Sequence, residues 1–198
     1  MTPAERKLGR PRDASVDAAI VQAVLEVLNE VGLGAMSMDA VAARAGVGKA
    51  TIYRRWSSKE EMVIDAIASL VASVEVPVTD DIRTDLITLL ARLRAFMNDA
   101  RGGSIFPWLV GEVASGTDVG RHYANAVIIP RRALIGEVIR RATEIGSLRP
   151  DLDVQLAVDM ISGPAILLKI MQPLRGVDER WEEKLVDALL QGWQAKTG

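Results

Sequence analysis

The feature that most narrows the folds open to this chain is the spacing of its apolar side chains. Val, Ile and Leu recur at three- and four-residue steps along most of the 198 residues, and no stretch alternates convincingly with period two. Such spacing lays one apolar stripe along a helix, whereas a half-buried strand needs strict alternation. The chain is therefore expected to be all-α, with about nine helices. Ile20, Val24, Val27, Leu28 and Val31 form the first stripe, opened by Ser15 as N-cap and closed by Gly32. A short helix follows Ser37, and another runs from about Gly48 to Trp56. Ser57 or Ser58 caps a helix over 59–74 that carries Met62, Ile67, Leu70 and Val71. After Pro77, Thr79 opens a helix with Asp80 and Asp81 in its first turn. Pro107 suits the first turn of a short helix, and a long one over 119–145 is bent or interrupted at Pro130. Asp153 caps a helix over 154–171, and the last spans 178–195.

Composition removes several classes of function. No cysteine is present, which excludes disulfides, thiolate metal sites and cysteine nucleophiles. The single histidine, His122, has no nucleophile marked beside it, and the pairs Asp80/Asp81 and Asp151/Asp153 sit at helix starts, where capping accounts for them. No phosphate-binding glycine loop and no zinc-binding H-E-x-x-H motif occurs, so neither catalysis nor a cofactor is expected. The N-terminus lacks a signal-like apolar run, and the apolar stretch 156–171 is interrupted by Asp159, Gly163, Pro164 and Lys169, so no membrane partner is expected and the cytoplasm is the expected location. Charge is uneven: residues 1–60 hold nine Lys or Arg against seven Asp or Glu, and 61–198 hold fifteen against nineteen. A basic head on an acidic body suits a protein that meets DNA at one end.

The informative stretch is 37–56. Val41 faces inward, and Ala42 is small enough to let a second helix cross closely. Gly46 can take the left-handed conformation of a tight turn, while Val47 and Ile52 plug the angle between the two helices. Lys49, Ala50, Thr51, Tyr53, Arg54 and Arg55 remain near the outer side, offering small groups, hydroxyls and positive charge. Those are the groups that approach bases and phosphates. A plain helical hairpin with a glycine turn would show the same spacing.

Ser37, Val41-Ala42, Ala45-Gly46-Val47, Thr51-Ile52-Tyr53-Arg54-Arg55-Trp56 and Lys59-Glu60 carry a further signal. With them, residues 13–65 resemble the N-terminal domain of the tetracycline-repressor (TetR) family. One departure is Gly48, where the family usually has Ser or Thr at the cap of the recognition helix. The resemblance implies a helix-turn-helix head over 13–58, a connecting helix 59–74, and a ligand-binding and dimerisation domain over 75–198. It implies phosphate contacts from Ser37, Thr51, Tyr53, Arg55 and Lys59, and base-edge contacts from Lys49, Ala50 and Arg54. The arm 1–12 contains Gly9-Arg10-Pro11-Arg12, which resembles an AT-hook core, so Arg10 and Arg12 are candidates for the minor groove.

The rest of the chain resembles the same family's regulatory domain, mainly in helix count and order. The family's last two helices pair with their twins. The helix 154–171 is apolar almost all round, and the final helix carries Trp181, Leu185, Leu189 and Trp193 at four-residue steps, the expected dimer interface. Phe96, Met97, Phe106, Trp108, Leu109, His122, Tyr123 and Met160 are the candidate walls of an effector pocket. The expected protein is thus a homodimeric regulator, most often a repressor in this family, that binds a double-stranded DNA operator and answers to a small-molecule effector. The competing reading is a dimeric helical small-molecule carrier without DNA binding.

Overall fold

The computed structural model describes residues 14–72, 79–99, 103–174, 176 and 178–194. Among the described residues the chain is helical, and its one strand-like contact is an isolated bridge between Leu148 and Gln194. The head comprises α1 (Ala14–Ala35), α2 (Met38–Arg44), α3 (Lys49–Tyr53) and α4 (Lys59–Ala72). The body follows with α5 (Ile82–Asn98), α6 (Phe106–Ala114), α7 (Asp118–Tyr123), α8 (Ile129–Glu144), α9 (Val154–Met171) and α10 (Trp181–Trp193). A π-helical turn, Ala124–Ile128, joins α7 to α8 without a break. Pro130 explains that turn: its nitrogen cannot bond the carbonyl four residues back, and its ring crowds that carbonyl. Widening the preceding turn relieves both problems and leaves a bend instead of a break.

The helix ends follow local chemistry. Gly32 sits at φ +72°, which kinks the end of α1. The Ser58 hydroxyl accepts the Glu61 N–H at 3.1 Å, while the Glu61 carboxylate accepts the Ser57 N–H at 2.8 Å. These bonds from Ser57 hold the Glu61 carboxyl below its ordinary range. The cap of α5 is Asp81, which accepts from the backbone of Arg83 and Thr84, and not Thr79. Thr79 instead donates its N–H and hydroxyl, both at 2.8 Å, to the buried carboxylate of Asp85. Asp153 caps α9 as its position suggests.

Two apolar cores meet end to end. One joins α1–α4 to Ile105, Leu109, Tyr123 and Val127 of the body. The other joins Leu86 and Leu90 of α5, Ile135 and Ile139 of α8, Val158 and Ile161 of α9, and Val186 and Trp193 of α10. Phe96 packs against both. The head is thus wired into the body through α6 and the α7–α8 bend, which α4 touches directly.

Within the subunit, the stripe of α10, where the dimer interface is expected, packs largely against the body. Leu189 and Trp193 are buried, and Trp181 and Leu185 pack against the second core. Arg83 grips Asp187 with a two-point ion pair, at 2.7 and 3.1 Å, and Arg94 pairs with the buried Glu182, fastening α10 to α5. The uncovered apolar face lies on α9, where Leu156, Met160, Leu167 and Ile170 are exposed. That helix is unbroken across Pro164, and 154–171, like 15–35, is long and apolar enough to cross a membrane by length and hydropathy alone. Its charges are engaged at the sides: Asp159 pairs with Arg132 at 2.5 Å, and Lys169 donates to Asn98 at 2.9 Å.

Candidate nucleic-acid interface

Ser37 opens α2 by accepting the Ala40 N–H at 3.2 Å. Val41 and Ala42 then point into the head core, so Asp39 and Arg44 lie on outer faces. Arg44 reaches back to α1, clasping both oxygens of Glu30 at 2.8 and 2.7 Å and Glu26 at 3.2 Å, and so fixes the angle of α2. Both acids are held below their ordinary range by hydrogen bonds, Glu30 by that from Arg44 and Glu26 by those from Gln22 and Arg44. Gly46 at φ +66° makes the turn, a conformation in which a Cβ would be strained. Gly48 serves as the N-cap of α3 through its backbone alone. Ile52 is fully buried, and it turns the opposite face of this five-residue helix outward.

That outward face carries Lys49, Ala50, Tyr53 and Arg54, all exposed, with Thr51 half-buried. Asp39 gathers two of them: Lys49 Nζ lies 2.6 Å from one carboxylate oxygen, and the Tyr53 hydroxyl donates to the other at 3.3 Å. The bond from Lys49 lowers the pKa of Asp39 and raises that of Lys49 itself. Arg54 makes no ion pair with any described residue.

Two of the expected phosphate contacts are engaged inside the protein. Lys59 places its ammonium on the carbonyls of Leu33, Gly34 and Met36, at 2.7, 3.0 and 3.3 Å. Three donors meet three acceptors at the C-terminal end of α1, where a cation is favoured. Arg55 pairs with Asp17 of α1 and lies 5.9 Å from the Trp56 ring centre. Arg10 and Arg12 fall outside the described residues.

The body holds a cavity of about 100 Å³ lined by Leu93, Phe96, Met97, Phe106, Tyr123, Val127, Ile128, Arg131, Arg132, Ile135, Ser162 and Ile166. Four of the eight expected wall residues are there: Phe96, Met97, Phe106 and Tyr123. The other four are elsewhere. Leu109 is buried in the head-side core with Trp108 packed against it, because α6 turns that face toward this core and not toward the cavity. Met160 is exposed on the outer face of α9. His122 lies against Asp65 of α4, its Nε2 2.8 Å from a carboxylate oxygen. The other oxygen of Asp65 accepts the indole N–H of Trp56 at 2.9 Å. One carboxylate thus links the residue that ends the recognition segment to the first helix of the body bend. Sequence spacing gave no sign of this link, because the three residues lie on separate elements.

Comparison with known proteins places this geometry. The family described as "Bacterial regulatory proteins, tetR family" matches residues 20–66, and "Tetracyclin repressor-like, C-terminal domain" matches 76–189. An uncharacterised helix-turn-helix transcriptional regulator of Bacillus subtilis, YdeS, is 31% identical over 192 residues, covering 96% of each chain. The DNA-binding transcriptional repressor TetR of Mycobacteroides abscessus is 32% identical over 185 residues, covering 90% of this chain and 94% of its own. The crystal structure of one TetR-family transcription regulator superposes with a TM-score of 0.78 at 34% identity, covering 90% of this chain and 98% of the other.

Proposed function

Because the chain belongs to the TetR family of bacterial transcriptional regulators, we propose that it is a repressor that binds a palindromic operator as a homodimer and lets go when a small, largely apolar effector enters the body cavity. The observation that carries the DNA-binding half is the two-sidedness of α3. Ile52 anchors one side in the core, while Lys49, Ala50, Tyr53 and Arg54 stand exposed together on the other.

In this reading Lys49, Ala50 and Arg54 meet base edges, and Ser37, Thr51 and Tyr53 meet phosphates. Arg10 and Arg12 of the arm supply minor-groove contacts. Arg55 and Lys59 act from behind, holding α3 and the end of α1 in place. Dimerisation is assigned to the outer face of α9, whose exposed Leu156, Met160, Leu167 and Ile170 form a stripe that a twin helix can cover. Regulation runs through α4. An effector that favours a different tilt of α4 in the body respaces the two heads, and the operator then fits only the other state. A regulator of this kind works in the cytoplasm.

Fluorescence anisotropy with DNA selected from a random library tests the proposal. Tight, salt-sensitive binding to a symmetric site is expected, with no such binding by a Tyr53→Ala, Arg54→Ala double variant. A folded protein that selects no sequence would favour the carrier reading instead.

A further inference from the structure

The body cavity contains one group that an apolar pocket does not explain. Arg131 lines it, and the Nε of its guanidinium is buried with no hydrogen-bond partner. No carboxylate among the described residues pairs with it. Its charged neighbour, Arg132, is already matched by Asp159 at 2.5 Å. Tyr123 lies beside Arg131 and is 3% exposed, and burial pushes its phenol up to about 12, so the hydroxyl keeps its proton. Burial also lowers the pKa of Arg131, but a guanidinium stays charged in proteins and cannot escape the cost of burial by neutralising. Arg131 is half-buried, so its charge keeps part of its hydration, but a buried Nε with no partner still costs free energy that an anionic partner would recover. Around it, Phe96, Met97, Phe106, Ile135 and Ile166 offer only apolar surface, with the Ser162 hydroxyl as a further polar group.

We propose that this cavity binds a small apolar carboxylic acid, with its carboxylate on Arg131 and Tyr123 and its hydrocarbon body among Phe96, Met97, Phe106 and Ile166. A single unmatched cation calls for a single negative charge. The planar donor fork of arginine fits a carboxylate at two points, and the phenol supplies a third donor. A phosphate dianion would leave a charge unmatched. The open space, about 100 Å³, is smaller than the roughly 150 Å³ engineered cavity that accommodates benzene, so it suits a short alkyl chain or a single ring that stays partly at the open mouth. The inference gives the proposed effector a chemical class and rests on the regulatory reading only for the release of DNA.

The test is calorimetric titration of the full-length protein at neutral pH with phenylacetate, benzoate and butyrate, each beside its neutral primary amide. At least one acid is expected to bind about ten- to a hundredfold more tightly than its amide, the effect of a charge-assisted hydrogen bond. Arg131→Met should abolish that preference while retaining amide binding. The same variant should melt higher than the wild type in the absence of acid, which shows that it folds. Arg131→Lys should keep part of the preference. Amides that bind as well as their acids, no acid that binds, or an Arg131→Met protein that keeps the preference would each overturn the proposal. Operator affinity measured alongside separates the two readings. Arg131-dependent acid binding that leaves operator affinity unchanged supports the site and ends the effector role. A neutral compound that releases DNA while no acid binds does the reverse.

Discussion

Asp39 holds two side chains proposed to meet DNA, Lys49 and Tyr53. Its carboxylate receives both donors in the free protein, so docking must exchange one anion for another. Asp39→Asn removes a negative charge from the approach and loosens both donors. It should tighten binding to operator and random DNA alike, by roughly up to tenfold, because the repulsion it removes acts on the phosphate backbone whatever the sequence. The loss of an acid from the first turn of α2 should cost only about 0.3–1 kcal/mol of stability. Anisotropy titrations with both DNAs check this, and unchanged affinity would mean that the pairing is incidental. Arg54 should behave differently. Arg54→Ala should relax preference at one base pair of each half-site by about 1–3 kcal/mol, read from binding to a library of operator variants. The residue types of this face were legible in the sequence, since Ile52 inward and Arg54 outward follow from helical periodicity. The engagement of Lys59 was not. A lysine after a serine pair looks the same whether it meets a phosphate or the carbonyls of Leu33, Gly34 and Met36, and only the return of α1 decides.

Among the elements, α9 and α10 show what an apolar stripe can and cannot say. A stripe demands cover, but it does not name the covering surface. On α10 the cover is α5, clamped by Arg83–Asp187 and Arg94–Glu182. On α9 part of the cover is α8 and α5, and the outer stripe is left over. Charges on the two helices should therefore have opposite consequences. Leu156→Glu with Leu167→Glu should leave a folded protein that light scattering reports as a monomer, with operator affinity strongly reduced. Leu189→Asp should instead unfold the subunit, because it puts an unpaired charge into the second core. Arg94→Met should cost about 2–3 kcal/mol in denaturant titration by stranding the buried Glu182 carboxylate, less than for a fully buried pair because Arg94 is partly exposed. The lever role proposed for α4 likewise rests on packing, since α4 touches α7 and the π-helical turn. Asp65→Ala removes the shared anchor of Trp56 and His122, and it should weaken the effect of an effector on DNA binding while sparing the binding of each.

For the whole molecule, the two cores set how the ends communicate. The first core spans head and body, and Phe96 touches both cores at the wall of the cavity. A ligand there would touch Phe96, Tyr123 and Val127, which belong to or pack against the core shared with the head. The all-helical architecture was readable from apolar spacing, and the order of head and body from the family resemblance that the 37–56 stretch carries. The unmatched Arg131 was not, because one arginine on an amphipathic helix gives no sign of whether its guanidinium finds a partner. Linkage makes the switch quantitative: if an effector weakens operator binding by some factor, operator must weaken effector binding by the same factor. Everything else depends on whether the head reads a sequence at all. Sequencing of DNA retained by the wild-type protein from a random duplex library measures that directly. The account predicts enrichment of a two-fold symmetric site with half-sites about one helical turn apart, or a related interval, and a blurred base preference in each half when Arg54→Ala is used. Retention of DNA with no enriched sequence, or no retention by a folded dimer, would contradict it.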